Sequence, residues 1–259
     1  MLWGLGIIAV LLSVVGTAAA SRPPARPAQP ARAKAPARPP PQTAPKLLDT
    51  PSDAMETLAY RYGQLSRAAC EAELKTRNIP YKRETARGVM APVRLTGPLH
   101  GVLFRTEEPE KVRRTTPHEI ADCRLVLALD DYSEILSKHD IVEVRHYSIY
   151  RPPLGPGSRQ PQSLHHVAAV AIDAGRFVKK DGKVLDVDKH FHGAIGARTC
   201  GKGARPRPAT AEALELRAIL CEGVARRFFN VVLTPNYNAP HKNHFHLEVT
   251  AGVKWFLIH

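Results

Sequence analysis

The chain has 259 residues and carries 37 Lys and Arg against 24 Asp and Glu, a net charge of +13 at neutral pH. Only its first stretch approaches the roughly 18 apolar residues of a membrane span, which excludes a multi-span membrane protein. Its four cysteines include no CxxC pair, which argues against a cysteine zinc site or a redox motif.

The start, "MLWGLGIIAVLLSVVGTAAASRPP", is uncharged through residue 21, apolar from Leu2 to Val15, and closes on Ala18-x-Ala20. It reads as a secretory signal peptide over residues 1–20. Export to the periplasm or cell envelope is expected. Because the charged region before the apolar run is missing apart from the terminal amine, an uncleaved membrane anchor is the alternative. Residues 21–46 hold nine Pro, seven Ala and no acidic residue. Such a segment buries no apolar surface and reads as an extended, disordered linker. Arg22, Arg26, Arg32, Lys34, Arg38 and Lys46 account for six of the net +13 and leave +7 on the rest. A basic tether outside the cytoplasm is drawn to anionic lipid or anionic wall polymer, or simply keeps the linker soluble. No nucleic-acid partner is expected. Residues 47–259 suffice for one well-cored domain.

Within that domain Asp53 to Arg77 is helix-prone, with a possible break at Gly63. Val93 to Arg105 is strand-like, interrupted at Gly97-Pro98, and Asp130 to Asp140 reads as a short helix. Ile141 to Arg151, rich in β-branched and aromatic residues, reads as a strand followed by an irregular Pro/Gly loop. Val167 to Asp173 is a small apolar strand, and Asp181-Gly182 marks a hairpin. A helix after Thr210, a strand from Phe229 to Leu233 and a histidine-bearing strand complete the list. Helices and strands mix without regular βαβ alternation, and no internal repeat is present. The expected fold is α+β: a small antiparallel sheet flanked by helices, with a metal site in a cleft on the sheet.

In an exported chain an even number of cysteines reads as disulfides, and four allow three pairings. Cys200 follows a Gly-rich loop. Cys221 falls on an apolar stripe, Leu214, Ala218, Cys221, Ala225 and Phe228, of the helix that Thr210 can cap. Cys200 is therefore paired with Cys221, which leaves Cys70 with Cys123.

The stretch "NAPHKNHFHLEV", residues 238–249, gathers His241, His244 and His246. Alternation puts His244, His246 and Glu248 on one face and Phe245, Leu247 and Val249 on the other. An apolar face buried behind a row of imidazoles is how a sheet presents metal ligands to a cleft. Upstream, "SLHHVAAVAID" sets His166 seven residues before Asp173. Imidazole and carboxylate are donors that zinc accepts, and a catalytic zinc keeps three protein ligands and a water. A second His-x-His, His190 and His192 near Asp186 and Asp188, follows the hairpin and precedes a glycine-rich loop, and reads as a polar rim.

His166 and Asp173, followed by His241-x-x-His244-Phe245-His246, resemble the extensin-like C-terminal domain family, which is related to zinc D-alanyl-D-alanine carboxypeptidases and peptidoglycan endopeptidases. In those relatives a Ser-x-His-x-x-Gly-x-Ala-x-Asp stretch supplies two ligands and the last His of a His-x-His the third. The resemblance thus implies His166, Asp173 and His246 as ligands of one zinc ion. His165 adjoins His166, but only His166 keeps the seven-residue offset. The relatives' Ser-Gly-Tyr-Arg is matched here by Ser148-Ile149-Tyr150-Arg151, which implies that Arg151 stabilises developing negative charge. His244 or His241 would serve as the base. Two positions depart from the pattern: Leu164 stands where the relatives have Ser, and Ala169 where they have Gly. The implied activity is cleavage of stem or cross-link peptides of peptidoglycan. The alternative is a non-catalytic envelope protein of the same fold that binds wall polymer.

Overall fold

Two hydroxyl caps start the first helices. In the computed structural model, which describes residues 49–155, 157–158 and 162–259, Thr57 accepts a hydrogen bond from the Tyr60 amide at 3.3 Å and opens α1 (Leu58–Gly63). Ser66 does the same for the Ala69 amide, also at 3.3 Å, and opens α2 (Arg67–Thr76). The helix break expected at Gly63 is thus the end of α1. The signal peptide expected over 1–20 and the linker expected over 21–46 lie outside the described residues. Among the described residues no helix is long and apolar enough to cross a membrane.

The run expected as one interrupted strand separates into two sheets. Strands β1 (Tyr81–Arg83), β2 (Pro92–Leu95) and β4 (Ala121–Asp122) form a small antiparallel sheet, while β3 (Leu103–Thr106) joins the edge of the main one. Between β3 and β4 lies a short helix, α3 (Glu110–Arg113).

The central helix, α4 (Cys123–Lys138), begins seven residues before the helix expected at Asp130. Asp122, fully buried, caps it: one carboxylate oxygen accepts from the Arg124 amide and the other from the Ala91 amide, both at 3.1 Å. Leu125, Val126, Leu127, Ala128 and Leu129 have no exposed surface. Five consecutive buried apolar residues leave no 3.6-residue stripe, so periodicity flags only the amphipathic second half.

The main sheet adds β5 (Ile141–His146), β6 (Ala171–Lys179), β7 (Val184–Asp186), β8 (Val231–Leu233), β9 (Phe245–Glu248) and β10 (Leu257–Ile258), in the order β10-β8-β9-β6-β5-β3 with β7 also on β6. The middle pairs are antiparallel, as expected for an α+β fold, whereas β10 on β8 and β3 on β5 are parallel. The hairpin expected at Asp181-Gly182 joins β6 to β7. The strand expected to reach Arg151 leaves the regular ladder after His146, where the register to β6 shifts. The strand expected from Val167 is displaced: α5 (Leu164–Val167) is a helical turn, and β6 starts only at Ala171.

Helices α6 (Val187–His190) and α7 (Ala211–Ala225) follow β7. Thr210 caps α7 as expected, accepting from the Ala213 amide at 3.2 Å. Its buried face is nevertheless Ala213, Leu216, Leu220 and Gly223, while Leu214, Ala218 and Ala225 are exposed. The reason is close packing on α4, since a Cβ at Gly223 would sit 2.8 Å from the Tyr132 ring. Cys221 borders that face and is bonded to Cys200, and Cys70 is bonded to Cys123.

On the core face of the main sheet the Phe245 ring lies 5.8 Å from Phe177 and 5.3 Å from Phe191. Each such fully buried side chain contributes roughly 1.5–3 kcal/mol by removal from water. That burial fixes which way β9 turns, and therefore sends His246 and Glu248 to the opposite face.

Candidate metal centre

Asp173, on β6, is 2 % exposed and stands at the centre of the cluster. Its register partner on β9 is His246, whose Nδ1 lies 3.0 Å from Asp173 Oδ1. His244, just before β9, brings Nε2 to 3.2 Å from the same oxygen. From the other side α5 brings His166 Nε2 to 3.2 Å from Oδ2. Donor atoms of His166, Asp173 and His246 all lie within 4.8 Å of one another, the one group of this kind among the described residues.

The partners of the remaining ring nitrogens test whether these residues suit a cation. His166 Nδ1 is 2.8 Å from the Ile149 carbonyl, which can only accept, so Nδ1 carries the hydrogen and Nε2 of the neutral ring is a lone pair. His246 lies between two acceptors, with Nε2 3.1 Å from Glu248 Oε2 and Nδ1 3.0 Å from Asp173 Oδ1, so with a cation at Asp173 the Glu248 contact would hold the hydrogen on Nε2 and free Nδ1 to ligate. His244 Nδ1 is 2.8 Å from Asn243 Oδ1, which leaves Nε2 likewise. Three imidazole nitrogens therefore converge on one carboxylate. Lone pair against anion is repulsive unless a positive charge lies between them. Protons can supply it, and so can a divalent cation with the nitrogen and oxygen donors zinc prefers. The residues present fit a zinc ion.

Electrostatics follow the same geometry. Burial alone would raise the Asp173 pKa, but hydrogen bonds from His166, His244 and His246 outweigh it and hold the carboxyl far below the usual range. Burial disfavours charge on His246, yet Asp173 and Glu248 push its pKa up to about 9. Burial and the neighbouring rings of His244 and His246 push His241 down to about 4.

These groups line a cavity of about 470 Å³. Its polar lining comes from Arg151, His165, His241 and the imidazoles around Asp173, and its apolar lining includes Val231, Leu233, Trp255 and Leu257. His241, on the short turn Ala239–His241, has Nδ1 2.6 Å from Asn238 Oδ1 and its ring 5.2 Å from that of His244. Arg151 donates from Nε to Ser148 at 2.8 Å and from Nη2 to Asp173 Oδ2.

All six residues expected at the site, His166, Asp173, His246, His244, His241 and Arg151, thus meet at one cavity. The family model described as extensin-like protein C-terminus matches residues 68–257. The chain belongs to this family. No curated protein and no solved structure matches the chain.

In this extensin-like domain His165 faces Glu248, with Nδ1 2.6 Å from Glu248 Oε1, and His166, the histidine at the seven-residue offset, is the one that reaches Asp173. His190 is spent elsewhere, its Nδ1 accepting from the Asp186 amide at 3.0 Å, and neither it nor His192 lines the cavity. Glu248, whose face alternation gave correctly, received no role from the sequence. Ala169 has φ +54° and is fully buried. It turns the chain from α5 into β6 in the left-handed region that glycine occupies at no steric cost. Leu164, in the place of the relatives' Ser, is 76 % exposed and does not line the cavity.

Proposed function

We propose that this extensin-like protein is an exported zinc-dependent peptidase of cell-wall peptidoglycan, cleaving stem or cross-link peptides in the periplasm or cell envelope. The observation that carries the reading is the convergence of the His166, His244 and His246 nitrogens on Asp173 beside a cavity.

His166, Asp173 and His246 would hold the ion. Bound there, zinc supplies an acidified water and polarises the scissile carbonyl. His241 and His244 are the two bases within reach of that point. His241, with Nδ1–H engaged by Asn238, offers Nε2 as its basic nitrogen and is kept neutral by its surroundings. Arg151 is held at one edge by Ser148 and Asp173, and its other N–H donors can meet a developing oxyanion or a substrate carboxylate. Basic residues of the linker would keep the enzyme near anionic lipid or wall polymer.

The test is metal analysis of the purified protein followed by incubation with purified wall sacculi, with a metal-stripped control. The expected result is about one zinc per chain and metal-dependent release of peptide or amino-acid products. Metal-loaded protein that sediments with sacculi yet leaves them uncut at every pH from about 5 to 9 would establish the rival reading, a wall-binding protein of the same fold.

A further inference from the structure

His246 is held between two carboxylates. Asp173 faces its Nδ1 at 3.0 Å, and Glu248 faces its Nε2 at 3.1 Å. Glu248 is 1 % exposed, and among the described residues it pairs with no Lys or Arg. Its other oxygen is engaged by His165 Nδ1 at 2.6 Å and by the Thr250 hydroxyl. Burying a carboxylate without a permanent cation is costly, so the fold keeps it there only because polar hydrogens surround it.

From this geometry we infer that Glu248 is the positioning residue for His246. It accepts the Nε2 hydrogen, fixes the ring's tautomer and orientation, and so leaves Nδ1 as the nitrogen offered to a metal. The inference rests on the zinc reading above. A carboxylate that accepts from the far side of a ligating imidazole also makes that imidazole a better donor. His165 is the outer member of the same chain of contacts. The adjacent histidines of α5 divide the work, His166 facing Asp173 and His165 facing Glu248, and His246 bridges the two carboxylates. Four contacts thus link five side chains in one line, its two ends joined only through the His165–His166 backbone.

A merely structural role for Glu248 predicts a change in stability and none in metal affinity. The test therefore measures zinc affinity of the full chain by competition with a chromophoric chelator. Glu248→Met keeps the volume and removes the acceptor, and should weaken zinc binding by about 10–100-fold. Glu248→Gln retains a carbonyl oxygen for the Nε2 hydrogen and should recover part of that loss. His192→Ala, at a residue that does not line the cavity, should leave the affinity unchanged. Should Glu248→Met fail to fold, nitrogen NMR of the zinc-loaded wild-type protein decides, with Nε2 of His246 expected to be protonated and Nδ1 metal-bound. Wild-type affinity in folded Glu248→Met, or the reverse tautomer, overturns the inference. A wild-type protein that takes up no stoichiometric zinc instead overturns the reading on which it rests.

Discussion

Asp173 and His246 are direct cross-strand partners on β6 and β9, their side chains meeting 3.0 Å apart although 73 residues separate them in the chain. A cross-strand pair of this kind is set by sheet register, so neither residue can leave the site without a shift of the whole ladder. His246→Ala should accordingly abolish stoichiometric zinc while the protein stays folded. His192→Ala should leave zinc content unchanged, because His192 does not line the cavity. Metal analysis of the two variants side by side checks this, and loss of zinc in the His192 variant alone would mean that the wrong His-x-His has been assigned.

Arg151 touches Asp173 and Ser148 but is no ligand candidate itself. Arg151→Ala should lower turnover by roughly 10²-fold, the size of effect seen when one oxyanion donor is lost, with zinc content unchanged. Steady-state assay on a defined stem peptide, with metal content measured in parallel, separates this from loss of the ion.

Ala169 pays for its left-handed backbone, φ +54°, at a fully buried turn. Glycine adopts that region freely, whereas an L-residue is strained there by roughly 1–2 kcal/mol, a gain that the greater freedom of glycine in the unfolded chain partly offsets. Ala169→Gly should therefore stabilise the protein by roughly 0.5–1 kcal/mol. Urea unfolding midpoints measure it directly, and a lower midpoint for the glycine variant would show that the lost methyl contacts outweigh the strain.

His146 gives the domain an acid-sensitive element of its own. Burial pushes its pKa from 6.5 down to about 3, and neither ring nitrogen has a hydrogen-bond partner among the described residues. The folded state holds the ring neutral while the unfolded state takes up a proton below about 6.5. The contribution is thus fully present above pH 6.5 and declines as pH falls toward 3. At about 1.4 kcal/mol per pH unit, the loss between pH 7 and 4 is on the order of 3 kcal/mol. His146→Leu should flatten the stability profile over that interval. Equilibrium unfolding at the two pH values tests it, and an unchanged acid limb would place the proton acceptor elsewhere.

The grouping of the site residues was legible in the sequence partly from local signals and partly from the family resemblance, which alone implied the ligand set. His244, His246 and Glu248 alternate on a strand whose other face is apolar, and His166 and Asp173 keep a spacing that a helical turn and a strand can satisfy. Both disulfides were legible as pairs, although the stripe used to place Cys221 was not the buried face of α7. What stayed hidden depends on tertiary context. The first half of α4 is apolar on every side and shows no periodicity. The role of Glu248 appears only when His165 and His246 close on it from different elements. The two-residue strand β10 is too short to leave any pattern of its own.

That last strand has a practical consequence. The Leu257 amide donates to the Asn230 carbonyl at 2.8 Å and the His259 amide to the Val232 carbonyl at 2.9 Å, so β10 covers the edge of β8. Trp255 and Leu257 also furnish part of the cavity's apolar lining. A chain shortened after Val253 would present β8 as an open template for another molecule's backbone, inviting self-association and precipitation.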